Sequence, residues 1–242
     1  MSRRDFSFEE QRWKGLSVRR LILPLGFGII GIVILVSLGN WQMRRLAWKE
    51  DILTQIDARI AAAPVAVPTR IDPEVDRFLS VTAEGLITNQ ELHVLASSKA
   101  TGAIYRVISA FEMNDGRRVL LDRGWIKPDQ KDTPRDEVIA GIEGNLHWPD
   151  EIDSYTLEND LAANIWFARD VDAMADALNA APILIVARKT SETNPTVTPL
   201  PVNSAGIPND HLNYAVTWYG LALVWLVMTL YYLRRMRAKH KV

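Results

Sequence analysis

The chain has 242 residues, a formal net charge of -1 and 48% hydrophobic residues, and it contains no cysteine. Near-neutral charge without a basic, aromatic-interleaved stripe gives no support to nucleic-acid binding. The missing cysteines exclude disulfides, thiolate-held zinc, iron–sulfur clusters and thiol catalysis, and they count against copper(I) carriage, which favours thiolates or clustered methionines.

Residues 1–20 form a polar, basic tail with Arg3, Arg4, Arg12, Lys14, Arg19 and Arg20, interrupted by Asp5, Glu9 and Glu10. Mitochondrial transit peptides are poor in acids, so this start predicts a bacterial inner-membrane protein. From Leu21 to Gly39 no residue is charged. At about 1.5 Å per residue such a helix crosses most of a hydrocarbon core about 30 Å thick, which predicts a first transmembrane helix over 21–41. A cleaved signal peptide is the competing reading, with Ser37-Leu38-Gly39 supplying small residues. The apolar run exceeds the usual signal core of about 7–15 residues, which favours an uncleaved anchor.

Helical spacing continues past Gly39 and puts Trp41, Arg45, Trp48 and Ile52 on one stripe. Tryptophan prefers the headgroup layer and arginine snorkels to phosphate, so an interfacial anchor explains the stripe. The helix is predicted to run to about Ala61 and to stop before Pro64, with Pro68 and Pro73 punctuating a linker.

The domain over 42–210 reads as α+β with a mainly antiparallel sheet. Arg77–Ala96 reads as strand, turn and strand, broken at Gly85 or at Thr88-Asn89. Tyr105–Glu112 and Arg118–Trp125 flank Met113-Asn114-Asp115-Gly116, and Asp-Gly between strand-like runs is a strong hairpin signal. Ile139–Leu146 reads as another strand. Asp170–Ala180 carries apolar residues at 171, 174, 175 and 178 and predicts a short amphipathic helix ended by Pro182, with Ile183–Ala187 a buried strand. Thr190–Pro208 is a loop rich in Thr, Ser, Asn and Pro.

A second uncharged block, Ala215–Leu233, predicts a second transmembrane helix over 211–233, followed by a basic tail over 234–242 with Arg234, Arg235, Arg237, Lys239 and Lys241. Basic residues on the outer flanks of both helices put both termini in the cytoplasm and the central domain in the periplasm.

The chain has no His-Glu-x-x-His, Gly-x-Ser-x-Gly, phosphate-cradling loop or interpretable carboxylate pair, so an enzyme is not predicted. His93, His147 and His240 are scattered and read as surface or satisfied residues. His211 differs because it opens the second apolar block. With Asn209 or Asp210 as the cap, it lies in the first helical turn, where the dipole disfavours imidazolium by up to ~1 kcal/mol and favours the neutral, metal-ligating form. Tyr214, Ala215 and Trp218 follow it at i+3, i+4 and i+7, placing two aromatic rings where a flat apolar cofactor could lie. A histidine that hydrogen-bonds headgroups is the bland alternative.

Three motifs occur in order: Leu38-Gly39-x-Trp41-Gln42-x-x-Arg45-Leu46-x-Trp48-Lys49, Asp122-Arg123-Gly124-Trp125, and Asn209-x-His211-Leu212-x-Tyr214-Ala215-x-Thr217-Trp218-Tyr219. With two terminal transmembrane helices, this order closely resembles the Surfeit locus protein 1 family, assembly factors for haem-copper cytochrome c oxidase. The resemblance covers essentially the whole chain, with little that is diagnostic between Ile126 and Pro208. It implies a non-enzymatic chaperone that carries haem a as cargo to oxidase subunit I, with haem a synthase as a further partner and lipid around the helices. It also ties His211 to haem binding, and a neutral imidazole at the membrane interface can hold the iron. Our reading of the residues adds Tyr214, Trp218, Trp41 and Trp125 as cofactor-facing aromatics, and Arg45 and Arg123 as partners for the haem propionates. Alternatives stay open: Trp41 and Arg45 as membrane anchors, Arg123-Gly124-Trp125 as a structural turn, and a haem-independent scaffold for an oxidase assembly intermediate.

Overall fold

A computed structural model describes residues 9–98 and 101–238. Arg3, Arg4, Asp5, Lys239, His240 and Lys241 lie outside the described residues. In chain order the elements are α1 (Glu9–Ile60), β1 (Val65–Ala66), α2 (Pro73–Asp76), β2 (Ser80–Ser98), β3 (Gly102–Met113), β4 (Arg118–Ile126), β5 (Val138–Leu146), α3 (Val171–Leu178), β6 (Ala181–Thr190) and α4 (His211–Ala238). They form two units, one of residues up to Leu53 with those from Ile207 onward, the other Thr54–Gly206.

In the first unit, α1 from Leu21 and α4 are each long and apolar enough to cross a membrane. Their shared seam is built on small residues. Gly28 and Gly39 are buried in α1, and Ala215 and Ala222 are buried in α4. A Cβ at Gly28 would run into Thr229, one at Gly31 into Trp225, and one at Gly39 into Tyr219. Trp225 Nε1 donates to the Gly28 carbonyl at 3.1 Å, and Tyr219 Oη donates to Asn40 Oδ1 at 2.8 Å. Without water to drive apolar association, apolar helices associate through this kind of close packing and interhelical hydrogen bonding.

In the second unit, β2, β3, β4, β6 and β5 lie side by side in that order, and β2 also pairs with β5, so five strands close into a barrel with β1 added at β2. Four pairings are antiparallel, β2–β3, β2–β5, β3–β4 and β5–β6. Two are parallel, β1–β2 and β4–β6. The sheet is therefore mixed, with antiparallel pairings in the majority, as predicted, and two parallel ones that were not. The parallel β4–β6 pair is a crossover through β5 and α3, and no local sequence signal specifies such a partner.

The hairpin at Asp115-Gly116 forms as predicted. Gly116 takes φ +86 and Arg117 N donates to Asp115 Oδ1 at 3.0 Å. The break expected within Arg77–Ala96 does not occur, because β2 is one long strand. Its register shifts between Ile87 and Glu91, and Thr88 Oγ1 donates to the Ala110 carbonyl at 3.0 Å. Thr88-Asn89 thus marks a bulge, where polar residues satisfy the interrupted ladder while the strand continues. At Gly85, the other expected break, a Cβ would strike the Glu112 carbonyl, so glycine there permits close strand approach.

Side chains from all five barrel strands make one core, including Ile87, Phe111, Leu121, Ile142 and Ile185. The opposite faces of β3, β4 and β6 present Ile108, Leu120, Leu184 and Val186 to α3. Burial on both faces is why β6 reads as an unbroken apolar run from Ala181 to Ala187, and β4 as a shorter one over Val119–Leu121. The amphipathic α3 buries Val171, Met174, Ala175 and Leu178, the predicted set. Asp170 caps its N-terminus, and Asn179 ends it in the left-handed conformation at φ +49. Pro182, the expected stop, lies instead near the start of β6. From Thr54 on α1 belongs to this unit; it ends at Ile60, one residue short of expectation, and its last carbonyl accepts from Asn145 Nδ2 at 3.1 Å and Arg188 Nη1 at 2.8 Å.

Candidate functional site

His211 is the first residue of α4. The Asp210 carbonyl accepts from Tyr214 N at 3.2 Å, whereas Asn209 Oδ1 is buried without a hydrogen-bond partner among the described residues. The imidazole faces α1, where His211 Nδ1 lies 2.8 Å from Gln42 Oε1. Gln42 is itself buried, at 8% exposure. An amide oxygen only accepts, so Nδ1 is the donor in this contact and, in the neutral imidazole, Nε2 carries the lone pair. Nε2 has no hydrogen-bond partner among the described residues. A ring nitrogen fixed as donor while the other is left free is the arrangement that orients a metal-ligating histidine. Among the described residues no group of three or more His, Asp or Glu could hold a metal ion.

The aromatic candidates divide by face. Trp218 lies one helical repeat from His211 and is half-buried, whereas Tyr214 is 57% exposed. On α1, Trp41 and Trp48 are exposed, and the Arg45 guanidinium lies between them, 5.8 Å from one ring centroid and 5.3 Å from the other. This sandwich makes Arg45 a cation held by π-faces.

Arg123 and Trp125 belong to the barrel unit. The Arg123 side chain is 5% exposed and its Nη2 donates to Glu192 Oε2 at 2.7 Å, leaving Nε and Nη1 buried without partners among the described residues. Trp125 exchanges backbone hydrogen bonds with Thr198 at 2.8 and 3.0 Å. Between them, Gly124 takes φ +125, and a Cβ there would strike the Thr198 carbonyl. The same motif contributes Asp122, fully buried, whose Oδ2 accepts from Arg106 Nε at 2.8 Å and Arg169 Nη1 at 3.3 Å while Oδ1 accepts from Gly124 N at 3.1 Å.

The other two described histidines, His93 and His147, are held within the barrel unit. His93 is buried and bonded to Glu91 at 2.9 Å, and Glu91 also accepts from Arg135 Nη1 at 2.5 Å. Burial raises the Glu91 pKa, but these two partners overcome it and hold the carboxyl below its ordinary value. His147 stacks near Phe78, and burial together with the charges of Arg169 and Arg77 pushes its pKa down to about 4.

Sequence reasoning quoted Gln42 but gave it no role. The signal was its heptad-like spacing from Gly28, Leu35 and Gly39, which places a polar side chain on the small-residue seam.

A family model described as the SURF1 family matches residues 29–223. The chain belongs to the SURF1 family. It is 30% identical over 215 residues to Surfeit locus protein 1 of Xenopus tropicalis, covering 76% of this chain and 67% of that protein. It is 28% identical over 221 residues to a SURF1-like protein of Rickettsia felis, covering 85% and 95%. Surfeit locus protein 1 of Homo sapiens is 30% identical over 217 residues, covering 77% and 69%. The span that matches the SURF1 family includes the Gly39–Tyr219 contact of the α1–α4 seam, the Gln42–His211 pair and the whole barrel.

Proposed function

We propose that the protein is a non-enzymatic assembly factor for haem-copper cytochrome c oxidase in a bacterial inner membrane, holding haem a as cargo for insertion into subunit I. The observation that carries this is the hydrogen bond from His211 Nδ1 to buried Gln42, which leaves Nε2 as a ligand for iron. Trp41, Tyr214 and Trp218 supply aromatic surface at the same end of the helix pair. Arg45, held by its faces on Trp41 and Trp48, keeps its N–H edge for a propionate. The pairing of Arg123 with Glu192 and of Trp125 with Thr198 supports a structural role for both.

Haem a is an amphiphile, with a ring and tail that favour hydrocarbon and propionates that favour cations near water. A histidine at the first turn of an apolar helix meets that polarity boundary. Both termini are cytoplasmic and the barrel unit is periplasmic in this reading, supported by Arg234, Arg235 and Arg237 at the far end of α4. Haem a synthase is the source of the cargo.

Purification of tagged subunit I from cells carrying either the wild-type protein or His211→Ala tests the reading. We expect the protein to co-purify in both cases and haem a to accompany it only with His211. Equal co-purification with no haem a in either case would identify a haem-independent scaffold.

A further inference from the structure

The barrel unit carries an open groove of about 620 Å³ between α3 and the loop that precedes it. Ile152, Leu157, Leu161 and Trp166 form its apolar lining, with Ala173 and Ala177 of α3 opposite. Ile152, Leu157 and Leu161 are 55–69% exposed, and Tyr155 on the same loop is 89% exposed. The loop is not a slack linker. Asp160 and Ile165 exchange backbone hydrogen bonds at 2.9 Å, Asn159 Oδ1 accepts from Phe167 N at 3.1 Å, and Glu151 grips the Arg169 side chain. A backbone pinned at several points while its large apolar side chains face outward is a preformed contact surface.

The charge around it is lopsided. Residues 149–178 contain eight carboxylates and one arginine, a net charge of −7 in a chain whose total is −1. Arg169 is already committed to Asp122 and Glu151. Among the described residues Glu158, Asp172 and Asp176 have no ion-pair partner, and Glu158 and Asp176 line the groove. Lys131 touches the far end of the loop at the Ala163 carbonyl and is paired with Asp132.

We propose that this groove docks a basic amphipathic segment of a partner protein. Apolar side chains of the segment would cover Ile152, Leu157 and Leu161, and its Lys or Arg residues would meet the unpaired carboxylates. Opposite charge steers such an encounter and fixes its register. A lipid surface fits poorly, because anionic headgroups repel a surface of this sign. A two-fold contact between copies would face the same carboxylates against each other. The inference is independent of haem.

The test places the photo-crosslinker p-benzoylphenylalanine at position 155 or 161 of the full chain in its native membrane, with position 139, also exposed, as the control. Irradiation is expected to attach a protein segment that mass spectrometry reads as Lys- or Arg-rich with interleaved apolar residues. The triple variant Glu158→Lys, Asp172→Lys, Asp176→Lys changes exposed side chains, and it is expected to cut the yield about tenfold. The captured segment, made as a peptide, is expected to bind the purified full chain more weakly as salt rises. Adducts with lipid alone, with a second copy or with a segment lacking positive charge would overturn the proposal. So would a yield no higher than at position 139, or one insensitive to the charge reversal.

Discussion

His211 Nδ1 and Gln42 Oε1, 169 residues apart in sequence, lie 2.8 Å apart across the α1–α4 seam. The contact fixes which imidazole nitrogen carries the proton. It also makes a residue on α1 responsible for the orientation of the His211 ring on α4.

Gln42→Leu removes the acceptor and leaves His211 free to rotate and to change tautomer. Loss of such an orienting partner costs about 10–100-fold in metal affinity. We expect haem a content to fall by that order, with Gln42→Glu retaining most of it because a carboxylate also accepts from Nδ1. Visible spectra of the purified variants, normalised to protein, provide the check. Equal haem in wild type and Gln42→Leu would remove Gln42 from the account.

At the packed end of the seam, Gly39→Val sets a branched side chain against the Tyr219 ring. Overpacking of this kind costs about 1–3 kcal/mol. The variant is expected to unfold at lower temperature in detergent, and Tyr219→Ala in the same chain is expected to recover part of the loss. A double mutant no more stable than Gly39→Val would show that the two residues are not in contact.

In the barrel, Asp122→Asn keeps the side-chain shape but removes the charge that Arg106 and Arg169 share. Breaking a buried ion pair from one side costs about 3–5 kcal/mol. Thermal unfolding of the full chain is expected to shift down strongly, more than for Asp115→Asn, whose partner Arg117 pairs with it at the surface.

Acid is expected to destabilise the barrel in two steps. The folded pKa of His147 is about 4, below its ordinary 6.5, so between those values the unfolded chain binds the proton and the folded chain does not. Stability is therefore full above pH 6.5 and falls as pH drops towards 4, by about 2 kcal/mol at pH 5. Burial raises the Glu151 pKa, but its bonds to Arg169 outweigh that and hold it below the ordinary value. Its contribution is lost further down, as pH falls from the ordinary carboxylate range towards the lowered folded pKa. Urea unfolding at pH 7 and pH 5 should show the first step, and His147→Gln should flatten it.

Much of this fold is readable locally. Asp115-Gly116 announces its hairpin because the turn needs a residue at positive φ, and the spacing 171, 174, 175, 178 announces the buried face of α3. Partners distant in sequence are not readable in that way. Nothing near Leu120 specifies Leu184 across a parallel ladder, and nothing near Thr88 distinguishes a bulge from a turn. At the candidate site the aromatic stripe of Trp41 and Trp48 drew attention to the outer face of α1. Gln42 lies one residue further round the helix and faces inward, so its role emerges only when α4 is packed against it. Asp122 stayed hidden for a similar reason, since its two arginines come from β3 and from the segment before α3.

In the proposed function the free Nε2 of His211 holds the iron of haem a. The visible spectrum of full-length protein purified from haem-a-producing cells, compared with His211→Ala, tests it most directly. A haem a band is expected in the wild type and is expected to be absent from the variant, with equal amounts of folded protein. No haem a band in the wild type, or a band of the same position and intensity in His211→Ala, would contradict that reading.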